Sequence, residues 1–84
     1  MPMFMDIHET VPEGVTLQDV IGAHEADLKV QAAHGVKYLK YWYSEEAGKV
    51  FCLAEAPSAE AAEAVHREAH GLVADRIVEV IEGS

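Results

Sequence analysis

The stretch VKYLKYWYSEEAGKVFCLAEA, residues 36–56, decides the fold. Its first part, Val36 to Tyr43, is rich in β-branched and aromatic side chains, which suit a pleated and partly buried surface. Ser44 to Lys49 brings Gly48 and the adjacent Glu45 and Glu46, a turn composition, and Val50 to Ala56 resumes an apolar run. Two consecutive strands joined by a hairpin therefore occupy the middle of the chain.

Upstream of the hairpin, Gly35 is the residue expected at a left-handed helix C-terminus, and it closes a helix predicted from about Leu17 to Ala33. Thr16, with Asp19 three residues on, has the character of an N-cap. Pro12 and Gly14 mark a loop, and Met3 to Glu9 alternates as a first strand. Downstream, Pro57 ends the third strand and Ser58 caps an alanine-rich helix running to about His70, closed by Gly71. Glu60 and Glu63 sit near its positive end. Arg76 to Glu82 supplies a fourth strand. The order β-α-β-β-α-β predicts an α+β, ferredoxin-like fold: a four-stranded antiparallel sheet with both helices on one face. The other face is left bare, and two such faces can meet in a homodimer.

A chain of 84 residues carries one core, so residues 1–84 are expected to form a single domain. Half of the residues are hydrophobic and a quarter are charged, an ordinary globular balance. The formal charge of -9 repels phosphate backbones and anionic lipid, which excludes nucleic acid and membrane surfaces as expected partners. Cys52 is the only cysteine, so neither an intrachain disulfide nor a CxxC pair can form, and a reducing cytoplasm fits best. Nowhere do eighteen apolar residues follow one another, so no membrane span is expected.

Five histidines in a chain of this size are the unusual feature. On the second helix Ala61, Ala62, Val65, Ala69 and Leu72 form the apolar arc, with His66 and His70 at its flank. The two imidazoles lie one turn apart and Glu63 shares their side, which makes half of an N/O metal site or, equally, a solvated edge. Side chains at such an edge leave no cavity, so truncating them should change stability by no more than about 1 kcal/mol. On the first helix His24 falls within the stripe Leu17, Val20, Ile21 and Leu28, bordered by Asp27 and Gln31. Asp27 would hold one ring proton of His24, either as a satisfied core pair or as the orienting partner of a ligand. If Met3, Met5 and Ile7 face the helices, then Asp6 and His8 lie on the bare face, where Glu55 shares a side with Phe51 and Leu53. His34 should meet the helix dipole. Tyr38, Tyr41, Trp42 and Tyr43 read as packing or interface aromatics, and Cys52, alternating with Val50 and Ala54, as a small inert core residue.

Taken together, Met5-Asp6-Ile7-His8, His24-x-x-Asp27-x-x-x-Gln31, Gly35-Val36-Lys37-Tyr38-Leu39 with Tyr41-Trp42, Val50-Phe51-Cys52-Leu53 with Glu55-Ala56-Pro57, and Val65-His66-Arg67-Glu68-Ala69-His70-Gly71 resemble the small nickel-binding proteins of ferredoxin-like fold. The resemblance implies a homodimer that binds nickel ions and sequesters excess metal, without enzymatic turnover. The ligands are assigned by chemistry: neutral imidazoles and carboxylates from His66, His70, Glu63, His8, Asp6, His24, Asp27 and Glu55 suit nickel. The same donors take zinc or copper in vitro. Imidazole ligands must be neutral, so affinity should fall as pH drops through about 6. The alternative is a small dimeric α+β-barrel enzyme in which His24, Asp27 and Glu55 act as an acid–base set.

Overall fold

Both helix starts are built as their sequences dictate. In the computed structural model, which describes residues 1–83, helix α1 spans Leu17–Val30 and helix α2 spans Ala59–Ala69. The Asp19 N–H donates to Thr16 Oγ1 at 3.2 Å and the Thr16 N–H donates to Asp19 Oδ2 at 2.9 Å, a reciprocal box that satisfies two free amides. Ser58 Oγ accepts from the Ala61 N–H at 3.2 Å. Helix α1 tightens into a 3₁₀ turn over Gln31–His34 and stops at Gly35, whose φ of 68° a side chain would strain.

The strands are β1 (Met3–His8), β2 (Lys37–Ser44), β3 (Lys49–Glu55) and β4 (Arg76–Val80). They form one antiparallel sheet in the order β2-β3-β1-β4, the ferredoxin-like arrangement, with α1 and α2 on one face. Phe4, Val20, Val36, Tyr38, Val50, Cys52, Ala54, Ala56, Ala62 and Val65 make the core between sheet and helices.

The phase of β1 is the reverse of the sequence expectation. Phe4 and Asp6 are buried on the helix side, and Met3, Met5 and Ile7 face outward. Alternation cannot decide this phase, because both sides of the strand carry apolar residues and a one-residue shift exchanges them. The outward face has rows that follow the register: Lys40, Leu53, Met5 and Val78 in one, Trp42, Phe51, Ile7 and Arg76 in the next. Helix α1 is also rotated from its expected stripe. Leu17 is 53% and Leu28 44% exposed, while Val20 and Asp27 are buried.

A bulge between Tyr38 and Lys40 reconciles the aromatic run on β2. Tyr38 pairs with Ala54, then Tyr41 with Cys52 and Tyr43 with Val50, so all three tyrosines share the inner face although their spacing is odd. Leu39 is the extra residue that shifts the phase.

Val65 is fully buried at the centre of α2's contact with the sheet. Val65→Ala removes two methyl groups and leaves a void, which should lower stability by about 2 kcal/mol. Urea unfolding checks this as a lower midpoint with an unchanged slope.

Candidate metal centre

Four elements aim polar side chains at one point beneath α2. Asp6 comes from β1, Asp27 from the last turn of α1, Tyr38 from the start of β2, and His66 from α2. Gln31 fixes the start of β2 by accepting the Tyr38 N–H on Oε1 at 2.9 Å. His66 lies at the centre and is 1% exposed. Its Nδ1–H donates to Asp27 Oδ1 at 2.9 Å. On the other side Nε2 lies 2.7 Å from Asp6 Oδ2 and 3.1 Å from the Tyr38 hydroxyl, which itself donates to Asp6 Oδ2. The Tyr38 ring stacks on the imidazole with centroids 4.8 Å apart.

With a carboxylate at each nitrogen, the ring is held as an imidazolium. Burial alone would push its pKa down, yet the bond to Asp27 and the contact with Asp6 push it up to about 11. For Asp27 burial acts upward, but the bonds from His66 and His70 outweigh it and its pKa is lowered. Burial, reinforced by the Asp6 charge, raises the Tyr38 hydroxyl, which therefore stays a donor. Burial and then the His66 charge lower His8, so its ring is neutral. Asp6 Oδ1 is buried with no hydrogen-bond partner among the described residues.

His70, the C-cap of α2, adds a further imidazole. Its Nδ1 accepts the Leu72 N–H at 3.1 Å and its Nε2 lies 3.1 Å from Asp27 Oδ1, with the His66 and His70 rings 5.0 Å apart. Ligand atoms of Asp27, His66 and His70 all fall within 4.8 Å of one another. A second group at the same spacing is His8, Cys52 and His66. A cleft of about 390 Å³ opens over both groups, with Val15, Val20, Tyr41, Leu72 and Val73 among its walls.

The sequence candidates thus divide. Asp6, His8, Asp27, His66 and His70 come together, and Asp6 and His8 do so on the helix side of the sheet, not on the bare face. His24 lines the cleft and stacks on Tyr41 at 4.6 Å, while Asp27 serves His66 in its place. Glu63 turns outward, with Oε1 2.6 Å from Arg67 Nη2. Glu55 sits on the outward face in register with Lys37 and Met3, separated from the cluster by the sheet. His34 pairs with Glu68 at 3.5 Å, away from this site. Two participants escaped the sequence reading, Tyr38 and Cys52. The inward parity of Cys52 with Val50 and Ala54 was the available signal, since Cys52 stands opposite Asp6 in the sheet.

A family model described as "Nickel responsive protein SCO4226-like" matches residues 4–80. Among solved structures, SCO4226 from Streptomyces coelicolor A3(2) is similar at 39% identity with a TM-score of 0.88, over 98% of this chain and 99% of that one. No curated protein matches.

The Asp6–His66–Asp27 array fixes how the metal-free protein responds to pH. Unfolded His66 titrates near ~6.5, whereas the folded ring keeps its proton to about 11. Its stabilisation is therefore full below ~6.5 and is lost as pH rises through about 11. The lowered Asp27 adds stability that is present above ~3.9 and lost as pH falls through its folded pKa. Urea midpoints should be highest between about pH 4 and 6.5 and decline steadily toward alkaline pH. A flat profile from neutral to alkaline pH would contradict the imidazolium. His66→Ala strands two buried carboxylates and should cost about 3–5 kcal/mol, well above the ~1 kcal/mol expected of an edge position.

Proposed function

This chain belongs to the SCO4226-like family of nickel-responsive proteins, and from that membership we propose that it binds nickel through Asp27, His66 and His70. The protein stores or sequesters the ion and converts nothing. The observation that carries this reading is the convergence of one carboxylate and two imidazoles within 4.8 Å under an open cleft. Imidazole nitrogen and carboxylate oxygen suit nickel, and water entering through the cleft would fill its remaining positions. Zinc and copper compete for such donors, so the ion held in the cell follows supply as well as affinity.

Formal charge favours a divalent ion at this place. Asp6 and Asp27 contribute two negative charges and the His66 imidazolium one positive charge, which leaves one negative charge in excess in a buried setting. A divalent cation beside a neutral His66 would balance it. Metal uptake at His66 is then an exchange of a proton for an ion.

The acid–base alternative is supported by the cleft, whose volume suits a small organic molecule. Two features weigh against it. A ring held as imidazolium to about 11 is a poor general base near neutral pH. Glu55 also lies on the opposite side of the sheet from His24 and Asp27, so that acid–base set does not assemble. The reading further includes a homodimer joined through the outward sheet face, where Trp42 is 47% and Val78 39% exposed. A free buried thiol at Cys52 suits a reducing, cytoplasmic setting.

Calorimetric titration of the metal-free protein with nickel tests the reading. Saturable binding is expected, weakened on the order of a hundredfold or more by His70→Ala, since even residues that only orient a ligand cost about 10–100-fold. Glu63→Ala and Glu55→Ala should titrate like the wild type. Equal nickel affinity in His70→Ala and wild type would place the ion elsewhere.

A further inference from the structure

Cys52 carries the only thiol of the chain, and neither the nickel set nor the core requires its sulfur. Its position on β3 turns it toward the helices, opposite Asp6 on β1. Its Sγ lies within 4.8 Å of ligand atoms of His8 and His66, which lie within the same distance of each other. His8 arrives from the last position of β1, and its ring centroid is 5.2 Å from that of His66. All three side chains line the same cleft, so an otherwise buried thiol has a path to solvent.

We propose that His8, Cys52 and His66 form a copper(I) site. A thiolate with two imidazoles is a soft donor set, and copper(I) is the first-row ion that such ligands select together with zinc. Coordination number separates the two. Zinc is held by four ligands, so with no fourth histidine, cysteine or carboxylate atom in this group among the described residues it would need a water from the cleft. Copper(I) is satisfied by three.

The surroundings prepare two of the ligands. His8 is neutral because burial works against its charged form, so it offers a lone pair without first losing a proton. Asp27 holds the Nδ1–H of His66, the carboxylate–histidine arrangement that fixes a tautomer, and Nε2, now 2.7 Å from Asp6 Oδ2, takes the metal on giving up its proton. Burial keeps Cys52 as a thiol until the ion arrives, and coordination then releases two protons to solvent, one from the thiol and one from Nε2 of the His66 imidazolium, as sulfur and nitrogen bind copper. No change of oxidation state is involved. A neutral imidazole has one lone pair, so His66 cannot serve this set through Nε2 and the nickel set through Nδ1 at once.

The test uses the full chain, metal-free and under reductant. Copper(I) is supplied as its complex with a chromophoric chelator, and transfer to the protein is read from the loss of colour. Wild-type protein should withdraw copper(I), and Cys52→Ser should do so on the order of a hundredfold less well. Glu63→Ala, outside the set, should match the wild type. Copper K-edge absorption of the loaded wild type should show a sulfur neighbour, a readout that does not depend on the fold of any variant. Withdrawal by Cys52→Ser equal to that of wild type would overturn the assignment. So would a spectrum with only nitrogen and oxygen neighbours, or displacement of the copper by an equal concentration of zinc.

Discussion

The doubly anchored imidazole of His66 is the constraint from which the rest of the site follows. One ring touches Asp27 from α1 and Asp6 from β1, and Tyr38 from β2 stacks on it. It thereby fastens both helices to two strands of the sheet. A thin core of valines and alanines has few large side chains with which to fix such relations. Dispersion and burial are tolerant of small rotations, whereas charge-assisted hydrogen bonds are directional, so this polar array can specify the helix positions that alanine contacts leave loose.

The same array explains which parts of the molecule could be read from sequence. Helix limits, turns and strand order were legible because their determinants are local: Thr16 with Asp19, Ser58, Gly35 and the hairpin composition. The phase of β1 and the depth of His66 were not, because each depends on partners far along the chain. An aspartate within an alternating strand reads as outward, since buried carboxylates are rare unless paired. The partners that permit Asp6 to be buried are residues 38 and 66, and no local pattern brings them together. His66 likewise follows Val65 by only one helical step, so its place on the flank or in the core turns on a rotation that the neighbouring alanines do not define. Residue-type chemistry put five residues that the fold brings together among its candidates, but it also admitted Glu63 and Glu55, whose side chains the fold sends elsewhere.

The proposed ion binding is separated from folding by this array. In small metal domains that lack a polar core, the ligands assemble only around the ion, and removing the metal unfolds the chain. Here the proton on His66 occupies the role of the central cation, and the carboxylates are already paired around it. On the proposed reading the site is organised before any ion arrives, which would lower the ordering cost of binding.

The bulge at Leu39 has an evolutionary consequence. Because Leu39 stands outside the ladder, Tyr38, Tyr41 and Tyr43 share the inner face with that residue bulged out or absent, so the chain between Tyr38 and Tyr41 tolerates a change of one residue. Loss of the Leu39 codon would restore plain alternation, with Lys40 and Trp42 outward and Tyr41 and Tyr43 inward as now, whereas loss of one residue between Tyr41 and Tyr43 would turn Tyr43 away from its bond to the Val15 carbonyl. Descendants of this hairpin are free to lose the bulge residue or to lengthen the turn at Ser44–Lys49 but not to change the spacing of Tyr41 and Tyr43, so insertions and deletions should be unevenly distributed along these two strands.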